Sequence, residues 1–150
     1  MSILQTATTS FKVELLQAVH NFGPTSPDTF KIALYTGNAD INASTTVYTT
    51  SNEVSSSGTN YTAGGNILTI SVSPTSGANS SAVPTAYVSF ANSSWPLATF
   101  TARAALIYNS SEGNKSVAVL DFGADKTVAN ETFTVIFPTP DANSAIVRIS

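Results

Sequence analysis

Cysteine is absent from this 150-residue chain, histidine, tryptophan and methionine occur once each, and charged residues make up only 10%. Without cysteine there is no disulfide framework, no zinc–thiolate site and no thiol nucleophile. The single histidine, His20, excludes any site that needs two imidazoles from one chain. Six Lys and Arg against nine Asp and Glu give a net charge of −3. That balance argues against nucleic acid, because a phosphate backbone requires a basic patch that six scattered cations do not make. Apolar runs are a few residues long, far below the roughly 20 that a spanning helix needs, so no membrane partner is expected. The N-terminus Met1–Thr6 carries neither a basic region nor a long apolar stretch, so no signal peptide is expected and synthesis would be cytoplasmic. Gly-x-Ser-x-Gly, Walker and His-Glu-x-x-His patterns do not occur.

What replaces the charges is hydroxyl and amide. Ser and Thr together number 42 and Asn 12, where charged residues would ordinarily form about a quarter of a domain. Thr is stiff at χ1 and suits a pleated surface better than a helix. A neutral polar surface also lacks the charge repulsion that keeps small proteins apart, and suits a member of an assembly.

One helix is expected near the N-terminus. Ser10 can cap it, Phe11, Leu15, Val19 and Phe22 recur on one side, and Gly23-Pro24 stops it. A helix of about 12 residues is marginal alone and must dock its stripe, either on its own sheet or on a neighbouring subunit. From Thr29 the period changes to two. Strands are expected at Phe30–Tyr35, Thr46–Thr50, Asn66–Ser73, Val83–Ala91, Phe100–Asn109, Ser116–Phe122, Glu131–Phe137 and Ala145–Ile149. Eight short strands without intervening helices predict an all-β antiparallel β-sandwich, jelly-roll-like, spanning residues 1–150 as one domain. The stretch Gly37–Gly65 has few apolar anchors. It reads either as an excursion along a neighbour or the sheet edge, or as a solvated loop.

Chemistry is thinly represented. His20 lacks a local nucleophile and carboxylate, so a structural role near the helix C-terminus is the expectation. The closest acidic pair, Asp121 and Asp125 around Gly123, has too few oxygen ligands for a calcium loop and reads as a hairpin turn with Asx-type bonding. Tyr87 and Tyr108 fall in apolar strands, and Trp95 is expected to plug one end of the sandwich. Tyr48 and Tyr61 stand in the polar excursion, where aromatic rings could anchor a subunit contact or touch a sugar.

Two blocks carry a resemblance. The first runs Phe30-Lys31-Ile32-Ala33-Leu34-Tyr35-Thr36, then Asn52-Glu53-Val54 and Tyr61-Thr62-Ala63-Gly64-Gly65; the second pairs Ala102–Asn109 with Val117–Gly123. Over roughly residues 11 to 137 the chain resembles a family of small virion structural proteins of tailed bacteriophages. The resemblance implies a non-enzymatic particle component with no cofactor, metal or catalytic residue. Within such particles the expected role is a capsid decoration, or cement, protein on the capsid exterior. Its partners would be the major capsid protein and copies of itself, as a trimer. The alternative is a tail-associated or receptor-binding module that holds host glycans. The expected interface comprises the N-terminal segment 1–22, through Phe11, Leu15, Val19 and Phe22, together with Tyr48 and Tyr61. On this reading, deleting residues 1–22 leaves a folded sandwich that no longer decorates heads.

Overall fold

A computed structural model describes residues 2–150. Its spine is one long hairpin, β6 (Ser93–Asn109) against β7 (Lys115–Val135). The chain reverses between them through Gly113 and Asn114, both left-handed at φ 66° and 59°. Glycine and asparagine tolerate that region better than other residues do.

The half of the hairpin nearest this turn is the middle of a five-stranded sheet. Strand β2 (Phe30–Tyr35) pairs with β6 in unbroken register from Phe30↔Asn109 to Tyr35↔Ala104. The short β1 (Thr6–Ala7) and β3 (Asn66–Ile67) complete the order β1-β7-β6-β2-β3. A second antiparallel sheet is formed by β4 (Ile70–Ala78), β5 (Pro84–Phe90) and β8 (Val147–Ile149), in the order β4-β5-β8. The fold is therefore an all-β sandwich with one short helix.

The central sheet is buried on both faces, and this explains the excursion. Phe30, Ile32 and Leu34 point with Ala105 and Ile107 into the main core, where Phe22 stacks on Phe30 at 4.3 Å and Phe90 lies 5.7 Å from Phe30. The alternate residues Ala33, Tyr35, Ala104, Leu106 and Tyr108 form a second core with Ala39 and Ile41 from the excursion. The Gly37–Gly65 stretch thus covers the back of its own sheet through Ala39 and Ile41, runs along the β2 edge at Asn52–Val54 as one of its two readings expected, and is not a solvated loop.

The helix differs from the sequence expectation at both ends. α1 spans Thr9–Leu16, and its cap is Thr8, whose Oγ1 accepts from the Phe11 N–H at 3.4 Å. Ser10 Oγ instead meets Ser116 Oγ at 3.3 Å. The helix ends because Ala18 turns left-handed, at φ 57°, five residues before Gly23. Val19 and Phe22 are therefore not on the helix, and Phe22 enters the core from the following irregular segment. Thr8 is fully buried and also accepts from the Ser116 hydroxyl at 2.9 Å. Thr8→Val keeps the shape but orphans the Phe11 N–H, while the Ser116 hydroxyl keeps the Thr45 carbonyl at 2.7 Å as its acceptor, so a loss of about 1 kcal/mol in urea unfolding is expected.

The strand count agrees with expectation, but through compensating differences. Thr46–Thr50 forms no strand; only Val47 bridges, to Lys115, as the segment crosses the end of the hairpin. Asn66–Ser73 divides at Leu68–Thr69, because the chain leaves the β2 edge there and crosses to β5 in the other sheet. Ser116–Phe122 and Glu131–Phe137 belong to one strand region. The residues between Asp121 and Lys126 face the single residue Arg103, so Gly123 marks a bulge in β7 and not a hairpin turn.

Candidate functional site

The densest polar constellation lies where the excursion runs along the edge of β2, with the Thr36 N–H donating to the Asn52 carbonyl and the Val54 N–H to the Leu34 carbonyl, both at 2.9 Å. Glu53 stands at its centre, half-buried. Its Oε1 accepts from the Tyr61 hydroxyl at 2.6 Å and the Gly64 N–H at 2.7 Å, and its Oε2 accepts from the Tyr48 hydroxyl at 2.6 Å. Charge-assisted bonds of this length are the strong kind. Tyr61 also accepts from the Leu34 N–H of β2 at 3.0 Å. Tyr108 of β6 donates to the Gly64 carbonyl at 2.7 Å and stacks on Tyr48 at 4.7 Å, while Tyr35 donates to the Thr49 carbonyl at 2.6 Å. Four tyrosines and one carboxylate thus fasten three parts of the excursion to two strands.

The electrostatics follow from that crowding. Burial, followed by the nearby Glu53 charge, pushes the Tyr108 hydroxyl up to about 12. Burial is also the main cause that raises Tyr35, Tyr48 and Tyr61, with Glu53 adding to each. Hydroxyls held neutral in this way are poor nucleophiles and poor general bases. The node is suited to holding a loop.

His20 belongs to a second, smaller network. Asn109 Oδ1 accepts from the Ser111 N–H at 3.0 Å, which orients the amide so that Nδ2 donates to His20 Nδ1 at 3.0 Å and to Asp28 Oδ2 at 2.7 Å. The proton of His20 then sits on Nε2 and is donated to Glu14 Oε2 at 2.7 Å. Lys115 Nζ reaches the other Glu14 oxygen at 3.3 Å. These contacts tie the segment after α1 to the turn end of the β6–β7 hairpin. The expected helix-end position of His20 is corrected: it follows the left-handed break at Ala18 and folds back on Glu14.

The acidic pair does not converge. Asp121 Oδ1 accepts from the Gly123 N–H at 2.8 Å, the Asx-type bond expected, and from Arg103 Nε at 3.2 Å. The Gly123 N–H, then Arg103, hold the Asp121 carboxyl below its ordinary value. No group of three or more His, Asp or Glu side chains that could hold a metal occurs among the described residues.

The expected interface residues are largely internal. Phe11, Phe22 and Tyr61 are 1%, 6% and 3% exposed, Leu15 and Val19 are half-buried, and Tyr48 is half-buried on Tyr108. Trp95 is 2% exposed between Tyr61 and Phe133, so neither it nor Tyr61 offers a ring to a sugar. Removing residues 1–22 would take Phe11 and Phe22 out of the core, so that deletion does not isolate a surface contact.

No family model, curated protein or solved structure matches the chain. The site must therefore be read from its own geometry. Glu53 and Gly64 were the residues whose roles sequence reasoning missed. Their one signal was position: Glu53 is one of only two acids, with Asp40, inside a hydroxyl-rich excursion that ends in paired glycines.

Proposed function

We propose that this protein is a non-enzymatic structural component of a tailed-bacteriophage virion, acting by adhesion as a capsid decoration protein that bridges capsomers. The observation that carries this reading is the use made of the resemblance motifs. Tyr35, Glu53, Tyr61, Gly64 and Tyr108 meet at one node, where they fasten a covering segment to a sheet. The most distinctive polar residues thus build shape. An interface of about 1,600 Å² suffices for specific association, and symmetric repetition over a particle multiplies modest contacts. Low charge keeps desolvation costs small at such a joint. The partners proposed are the major capsid protein and further copies of this chain, as a trimer.

The N-terminal contact is reassigned to the outer face of α1. Val13 and Leu16 are 50% and 91% exposed there. Leu16→Asp should change stability by less than about 0.5 kcal/mol and lower the occupancy of heads, read by quantitative gel analysis of purified particles. Density maps of whole virions test the wider proposal. Copies at capsomer joints support it, location on the tail overturns the capsid placement, and absence from particles overturns the virion role altogether.

A further inference from the structure

A groove runs along the seam where the two sheets of the sandwich fail to close. Four clefts of 140 to 360 Å³ form it. The first shares Leu15 and Val147 with the second, the second shares Gln5, Pro138 and Ile146 with the third, and the third shares Phe122, Val135 and Ile136 with the last.

Free strand edges flank this seam. β8 pairs with β5 alone. β7 is covered by β1 only at Ala118 and Val119, after which Gln5 Oε1 accepts from the Asp121 N–H at 3.2 Å and no further strand follows on that side among the described residues. Unpaired edges are templates for another extended chain. The clefts at its two ends are lined mainly by apolar side chains, and Ile136 and Ile149, 75% and 58% exposed, stand in its walls.

The charge in its lining that has no ion-pair partner among the described residues is of one sign. Lys12 and Arg148 line the second cleft and Lys126 the last, all exposed, and none makes an ion pair among the described residues. Arg148 makes one long contact, 3.5 Å, to the Ala142 carbonyl. The one carboxylate in the lining, Asp121, is already held by Arg103. Half of the six cations of a chain with net charge −3 therefore stand along one apolar seam with no ion-pair partner among the described residues.

We propose that the seam binds an extended segment of a partner polypeptide whose apolar side chains alternate with carboxylates. Its backbone meets the free strand edges, its apolar side chains fill the clefts, and its carboxylates pair with Lys12, Lys126 and Arg148. The inference goes beyond the virion reading and does not rest on it: the seam can bind such a segment wherever the protein resides, and heads can be decorated with the seam empty.

The test titrates two octapeptides into the full chain by NMR, one alternating valine with aspartate or glutamate, the other alternating valine with lysine. The acidic peptide should shift amide resonances in residues 120–137 and 145–149 and bind at least about tenfold more tightly than the basic one. The double substitution Lys12→Glu, Arg148→Glu, at exposed positions, should abolish that preference while leaving the thermal melt unchanged. Equal binding of both peptides, shifts confined to other regions, or no binding by about 1 mM peptide overturns the proposal. Concentration-dependent dimerisation lost in the double variant also overturns it, by placing a second copy in the seam.

Discussion

Gly65→Ala should yield no cooperatively folding protein, or one weakened by more than about 4 kcal/mol in urea unfolding. Two independent penalties meet at this residue. Its φ is +73°, a region that costs an L-residue about 1–2 kcal/mol. A Cβ there would run into the Ile32 carbonyl oxygen and stand 2.8 Å from the Ala33 Cα, both backbone atoms of β2. Neither can move without breaking the β2–β6 register, which is buried on both faces. Gly58 and Gly113 separate the two effects: φ is +70° and +66°, but nothing lies within 4 Å of a Cβ at either. Gly58→Ala and Gly113→Ala should therefore cost only the backbone penalty, about 1–2 kcal/mol. If Gly65→Ala proves as mild as these two, the close approach of the excursion to β2 is not present in solution.

This residue also shows how far sequence reasoning reached. The alternation in Phe30–Tyr35 was legible because period two is a strong signal, and it placed β2 correctly. What alternation could not show is that the second set of residues is buried as well, under a segment rich in Ser and Thr. Burial by hydroxyl-rich chain leaves no periodic trace, so Gly37–Gly65 read equally as cover or as loop. A Gly64-Gly65 pair is turn chemistry in any sequence, but that its second member lies against a strand carbonyl is a tertiary fact. The helix was overextended for a related reason. Phe11, Leu15, Val19 and Phe22 satisfy helical spacing, yet Ala18 carries no sequence signal for a left-handed break. Phe22 reaches the same core from the irregular segment beyond that break. At Gly123 the local chemistry was read correctly, since the Asx-type bond is there. Whether it turns the chain or bulges it depends on the partner strand, which continues straight past on the other side.

The Glu53 node makes the protein sensitive to alkali as well as to substitution. Tyr35 and Tyr61 are 0% and 3% exposed, and each hydroxyl is raised above its ordinary value near 10, by burial first. For a group raised on folding, the unfolded chain loses its proton first as pH rises. Above pH ~10 the native state therefore holds more protons, and stability falls with pH. The contribution is complete below pH ~10 and declines by about 1.4 kcal/mol per pH unit for each tyrosine still protonated in the folded state. Urea midpoints should be level up to pH ~9 and drop steeply between pH ~10 and 12, with Tyr61→Phe making that drop shallower. Glu53→Ala acts differently. It leaves the Tyr48 and Tyr61 hydroxyls and the Gly64 N–H without their acceptor, so a loss of about 3 kcal/mol is expected even at neutral pH. Because burial outweighs the Glu53 charge as the cause of the shifts, Glu53→Gln should retain most of the alkaline drop. If Glu53→Gln abolishes the drop, the carboxylate and not burial sets the tyrosine protons. If Glu53→Ala costs nothing at neutral pH, the excursion is held by its apolar residues and its backbone bonds to β2, and the node is not its fastening.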